Sequence, residues 1–265
     1  MYTTLTTLIN LLDSGPMSNA GVISWGSPVP SFGDFSASKV ATLGLNPSNR
    51  EFVDEAGNEL TGKFRRFHTL NSLGLESWSD VDARHLQLIW DSCQHYFWIN
   101  PYDRWFRVLD LVISGVNATY YGKSATACHL DLIPYATSQK WTELSKKQRS
   151  TLLAMVGNTL GLIVRESPIK LIILNGKSVV EMFQDISGVH LEKQKMSSWS
   201  LPRRSTLNVA GVAYHGITNT LSGIPLGRDL LVLGFNHNLQ SSFGVTSKVL
   251  REIRHWITNM VLEVN

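Results

Sequence analysis

Lys39-Val40-Ala41-Thr42-Leu43-Gly44-Leu45-Asn46-Pro47-Ser48 is the stretch on which the fold of this chain turns. Val40 to Leu43 has the make-up of a short buried strand, and a tight polar turn follows it. Gly44 permits a sharp exit and the close approach of a ligand. Pro47 fixes its own φ and biases Asn46 toward an extended conformation. Asn46 is thereby presented from a rigid strand end, where α/β proteins place their ligand chemistry. An amide there can orient a water or a substrate but cannot titrate. The same letters also fit an ordinary Asn-Pro turn between a strand and a loop, so the surroundings must decide.

Working outward, Ile169 to Leu174 is a second continuous apolar run, ended by Asn175-Gly176-Lys177, and reads as a fully buried parallel strand. Ala125 to Ile133 is a strand-like run interrupted by His129 and Asp131 and closed by Pro134. Arg203 to Thr218 is strand-rich, and Asp229 to Gly234 is a last buried strand before the polar turn Phe235 to Phe243. Helical periodicity fills the intervals: Thr3 to Leu12, Asp80 to Trp98, a helix opened by Asn100-Pro101-Tyr102-Asp103, one long helix over Lys146 to Val164, Ser178 to Phe183, and Thr246 to Val261. Strands alternating with helices predict an α/β fold, a three-layer α/β/α arrangement with a mainly parallel central sheet. No linker interrupts it, so residues 1–265 are expected to form a single domain.

Composition narrows the function classes. The chain has 265 residues and a formal charge of +3, which permits a nucleic-acid partner without arguing for one. Cys93 and Cys128 form neither a metal-ligand spacing nor a disulfide framework, which fits a reducing compartment. No apolar run has the length of a membrane span, and no leader pattern opens the chain. The expectation is a cytoplasmic monomer with no membrane association, no metal and no cofactor. Gly176-Lys177 is too short for a phosphate loop of the Walker type.

Polar clusters end three of the expected strands: Gly44-Leu45-Asn46-Pro47, His129-Leu130-Asp131-Leu132-Ile133-Pro134, and Asn236-His237-Asn238-Leu239-Gln240-Ser241-Ser242. The C-termini of parallel strands converge on one edge, so the clusters can line one cleft. With these residues in view, the chain resembles the uracil-DNA glycosylase superfamily. Gly44-x-Asn46-Pro47 after a strand, the run Ala127 to Pro134, the run Ile169 to Gly176-Lys177, and His237 heading the last turn match its elements in order and span most of the chain.

The resemblance implies a uracil-DNA glycosylase-like fold and a site. Asn46 would position the attacking water, and His237 would stabilise charge growing on the leaving base. A carboxylate that assists as a base would come from the following loop, from Asp54 or Glu51. Gly44, Pro47, His129 and Asp131 would surround the base, with aromatic stacking from Phe52, Phe64, Phe67 or Tyr135. Asn238, Leu239, Ser241, Lys177, Arg203 and Arg204 would contact DNA, with Leu239 where some branches carry a wedge that fills the gap left by a flipped base. Arg65 and Arg66 are further phosphate candidates.

Two departures from the family pattern matter. The usual His-Pro-Ser is His237-Asn238-Leu239 here, without the stiff proline. Asp131 stands where several branches place the Asn that reads uracil. A carboxylate accepts from the exocyclic amine of cytosine and repels the carbonyl that uracil presents there. The expected substrate is therefore DNA carrying a modified or damaged base, a modified cytosine first of all; if the modification is one found in phage genomes, a defence role follows. Uracil excision in base-excision repair, a non-catalytic DNA-binding module and an enzyme acting on a free nucleoside or nucleotide are the competing readings.

Overall fold

The computed structural model describes residues 2–99, 101–122, 125–203, 208–240 and 242–264. Its strands are β1 (Val40–Gly44), β2 (Ala127–Asp131), β3 (Leu171–Asn175), β4 (Glu192–Leu201), β5 (Val209–Leu221) and β6 (Ile224–Phe235). They form one six-stranded sheet in the order β2-β1-β3-β6-β5-β4. β2, β1, β3 and β6 run parallel to one another, whereas β5 pairs antiparallel with β6 and β4 antiparallel with β5. The sheet is thus mixed and mostly parallel, as its buried apolar runs predict.

The helices are α1 (Tyr2–Leu12), α2 (Gly15–Asn19), α3 (Leu70–Leu73), α4 (Ala83–Gln94), α5 (Tyr96–Ile99), α6 (Asp103–Ile113), α7 (Lys146–Val156), α8 (Thr159–Arg165), α9 (Lys177–Ser187) and α10 (Ser247–Val264). Strand alternation sends side chains to two cores. Ala41, Leu43, Ile172, Leu174, Leu230 and Val232 point to a core shared with α1, α7, α8 and α9. Val40, Leu171, Ile173, Leu231 and Leu233 point to the opposite core, closed by α6 and α10. Among the described residues no helix is long and apolar enough to cross a membrane.

The structure departs from the sequence reading in two elements. The long helix expected over Lys146 to Val164 is two helices, because Gly157 leaves helical geometry at φ 39° and ψ −100°. β4 was not expected at all. It is a sheet edge whose first half, Glu192-Lys193-Gln194-Lys195, is exposed. Charged residues on an edge strand block edge-to-edge association, and they also erase the apolar alternation that marks a strand.

Candidate functional site

The strand order locates a crevice. From β1 the chain passes to β2 on one side, and from β3 it passes to β6 on the other. The gap beyond the C-terminal ends of β1 and β3 is therefore the topological switch point of the parallel sheet. A cavity of about 580 Å³ lies there, lined from β1 and its turn by Gly44 to Ser48, from β2 by His129 and Asp131, from the end of β3 by Asn175 and Gly176, and from beyond β6 by Asn236 and Asn238. Its size falls in the ~300–1,000 Å³ range of small-molecule sites. A second cavity of about 700 Å³, between α1, α7 and α8, has no titratable side chain in its lining.

The floor is built by register. Gly44 pairs with Asp131, and Thr42 pairs with His129. Residues two apart on a strand share a face, so Asp131, His129 and Thr42 sit together on the α6 side. His129 Nε2 lies 3.4 Å from Asp131 Oδ1. Its Nδ1 is 2.7 Å from Thr42 Oγ1. The rings of Phe32, Trp105 and Phe106 surround the imidazole at centroid distances of 5.4, 5.0 and 5.4 Å.

Gly44 is explained by this crowding. A Cβ there would overlap Asp131 Oδ1 and sit 3.0 Å from His129 Nε2. Gly44 does not have a positive φ among the described residues. Glycine is required for the room it leaves, not for a sharp left-handed exit.

Asn46 is held from one side. Its Nδ2 donates to Thr137 Oγ1 at 3.0 Å and to the Pro47 carbonyl at 3.1 Å. The Thr137 hydroxyl donates onward to the Gln139 carbonyl at 2.7 Å, so toward Asn46 it accepts. These partners fix which end of the amide is nitrogen. Among the described residues Oδ1 has no hydrogen-bond partner, which leaves an acceptor in the cavity wall.

Glu51 closes the same cavity. It is buried, accepts from the Tyr96 hydroxyl at 2.9 Å, and lies 3.7 Å from Arg66 Nε. Burial pushes its carboxyl up to about 7, against the opposing pull of Arg66 and Tyr96. At the mouth, Lys140 and Lys177 are exposed cavity-lining cations. Gly176 to Val179 also line the cavity, so the N-terminus of α9 faces it with its positive dipole end. Asn175 ties the far wall: it donates to Gln240 at 2.8 Å and accepts from the Leu239 amide at 3.2 Å.

The cavity therefore gathers Gly44, Asn46, Pro47, His129, Asp131, Lys177 and Asn238, all singled out from the sequence. Several other candidates stand elsewhere. Asp54 is solvent-exposed and accepts from the Ala56 and Asn58 amides within its own turn. It does not line the cavity, and Glu51 is the loop carboxylate that does. His237 is buried, but its Nε2 lies 2.7 Å from the Trp199 carbonyl on β4. Only its neighbours Asn236 and Asn238 reach the cavity, because alternation turns His237 to the other side. Burial lowers its pKa from the usual imidazole value.

Phe64 is 59% exposed and Phe67 is buried against Tyr96, ring on ring at 5.2 Å, so neither stacks on the cavity. Leu239 is buried rather than poised as a wedge, and Arg203 is exposed away from the cavity lining. Arg204 and Ser241 lie outside the described residues. The aromatic wall comes instead from Phe32, Tyr102, Trp105 and Phe106. Trp105 and Phe106 fall within the helix expected to open at Asn100-Pro101-Tyr102-Asp103. Nothing in the sequence distinguishes a helix face that walls a cavity from one that fills a core.

No family model matches this sequence, and no curated protein matches it.

Proposed function

We propose that this protein is a monofunctional DNA glycosylase of uracil-DNA glycosylase-like fold that hydrolyses the N-glycosidic bond of a flipped, modified cytosine and leaves an abasic site. The observation that carries this reading is the meeting of Asn46, Glu51, His129 and Asp131 in one cavity at the switch point. In this reading, Asn46 Oδ1 orients a water toward the anomeric carbon. Glu51, half ionised near neutrality, accepts the water's proton as the new carbon–oxygen bond forms. The glycosidic bond breaks with its electron pair leaving on the base. Lys177 and the N-terminus of α9 supply positive potential at the mouth, where phosphates flank the sugar.

Asp131 selects the base. Its carboxylate presents acceptors to an exocyclic amine, and the aromatic wall beside it gives a flipped ring a stacking surface. The cavity holds more than an unsubstituted pyrimidine, which accommodates a ring substituent. Asp131→Asn tests the assignment. Wild-type protein releases a modified cytosine and not uracil; the variant loses the cytosine activity and gains uracil release. Efficient uracil release by the wild type contradicts it.

The position of His237 favours one second reading, a non-catalytic DNA-binding module on the same fold. It predicts salt-sensitive DNA binding without release of any base.

A further inference from the structure

Behind Asp131 runs a chain of polar side chains that none of the roles above uses. His129 Nε2 faces Asp131 Oδ1 at 3.4 Å. His129 Nδ1 meets Thr42 Oγ1 at 2.7 Å, and Thr42 Oγ1 meets the Tyr120 hydroxyl at 2.5 Å. Tyr120, Thr42 and His129 are all buried. We infer that Tyr120, acting through Thr42 and His129, fixes Asp131 as an acceptor and thereby makes the cavity select an amine-bearing base edge over a carbonyl. This rests on the glycosylase reading above for its substrate, but not for the hydrogen-bond polarity itself.

Hydrogen accounting sets the direction. Thr42 Oγ1 has one proton, and both of its neighbours in the chain are hydrogen-bonded to it. If His129 carried its proton on Nδ1, that N–H would donate to Thr42 Oγ1, which would then either donate to the Tyr120 oxygen or accept from the Tyr120 hydroxyl as well. In the first case the Tyr120 hydroxyl proton has no acceptor and in the second the Thr42 proton has none, since among the described residues the Tyr120 hydroxyl is bonded to Thr42 Oγ1 alone, and Thr42 Oγ1 to Tyr120 and His129 alone. A buried hydroxyl rarely leaves its proton unpaired. Burial also raises the Tyr120 pKa well above its ordinary value, so the phenol keeps that proton. The reverse direction pairs both hydroxyl protons: Tyr120 donates to Thr42, Thr42 donates to His129 Nδ1, and the imidazole carries its hydrogen on Nε2.

The tautomer then determines what Asp131 offers. An Nε2–H 3.4 Å from Asp131 Oδ1 sets the positive end of a dipole beside the carboxylate and holds its oxygens as acceptors. A bare Nε2 lone pair in that place would face the carboxylate with a dipole of like sign and would not hold its oxygens there as acceptors. One proton position three residues deep thus separates a site that reads an amine from one that tolerates a carbonyl. Tyr120 is a positioning residue in this scheme, because it touches neither substrate nor reacting atoms. No sequence pattern announces it, since Tyr120 lies in the connection before β2.

The test uses ¹⁵N-labelled full-length protein without ligand, read by long-range ¹H–¹⁵N correlation of the histidine rings. The expected result is a single Nε2–H tautomer for His129 in the wild type and a mixture in Tyr120→Phe. Thr42→Val, which removes the middle hydroxyl, gives the second variant and should also lose the single tautomer. The same proteins are then assayed for base release. In Tyr120→Phe the preference for an amine-bearing over a carbonyl-bearing base should fall by about tenfold, as expected when one fixed hydrogen-bond polarity is lost. An Nδ1–H tautomer in the wild type, or a tautomer unaltered in both variants, overturns the relay. Changed tautomers with an unchanged release ratio overturn its role in selection. The expected tautomers with no base released from any DNA would uphold the relay and remove the glycosylase reading instead.

Discussion

Glu51 is a buried carboxylate with no full compensating charge, and this makes it expensive to ionise. Its folded value of about 7 lies above the ordinary 4.5. The folded protein therefore binds this proton more tightly than the unfolded chain does. The resulting stability is fully present below about pH 4.5 and is lost as pH rises through about 7. The shift corresponds to about 3 kcal/mol. Glu51→Gln, which mimics the protonated form, should therefore melt several degrees higher than wild type at pH 8, and the gap should close toward pH 5. The same variant should lose base release by roughly 10²–10⁴-fold, the usual worth of a general base. A variant less stable than wild type at pH 8 would refute the cost assigned to this group. Gly44→Ala acts on the neighbouring contact. Its Cβ would overlap Asp131 Oδ1, so it should cost about 1–3 kcal/mol in chemical denaturation and displace that carboxylate. Full stability with full activity would refute the close approach. At this scale the sequence was partly legible. Asn46 and Asp131 stood out because polar residues at the ends of apolar strands need a reason. Choosing between Glu51 and Asp54 was not possible, because burial by Tyr96 and Arg66, 45 and 15 residues downstream, leaves no local trace.

The elements that position the site are the ones that periodicity marks well. β1 and β3 are buried on both faces and read as unbroken apolar runs. β4 escaped notice for the opposite reason, since its exposed half is polar. The β5–β6 hairpin was read as a strand-rich stretch over Arg203 to Thr218 and a separate strand over Asp229 to Gly234, and its turn explains why the two strands run on to meet. Ser222 and Gly223 both have positive φ, at 50° and 76°, the pair of left-handed residues that a type I′ hairpin turn requires. The sequence Ser-Gly is a weak form of that signal. Gly223→Ala meets no atom within 4 Å, so its effect isolates backbone strain. It should destabilise by about 1 kcal/mol in urea or thermal unfolding without altering base release. An unchanged midpoint would contradict the left-handed geometry. The turn after β6 was misjudged because alternation beyond the strand end carries His237 to the β4 side. A histidine in a polar turn gives no hint of which way it faces.

For the whole molecule, the sheet order does what no single motif could. It places the C-terminal ends of β1, β2, β3 and β6 around one crevice, so weak signals scattered from Gly44 to Asn238 become one cavity. The net charge of +3 is too small to force DNA binding by itself. The proposed phosphate contacts are local, at the mouth, so binding to a short duplex should weaken as salt rises, with Lys177→Ala reducing the slope of log K against log salt by about one unit. A slope unmoved by that change would place the phosphate path elsewhere. The most direct measurement remains base release. Purified protein is mixed with DNA containing uracil, cytosine, or cytosines with small and bulky ring substituents, and the liberated product is identified by mass spectrometry, with Asn46→Ala as control. Release of a modified cytosine by the wild type, lost in Asn46→Ala, is the predicted result. No base released from any of these DNAs, with binding intact, would contradict it.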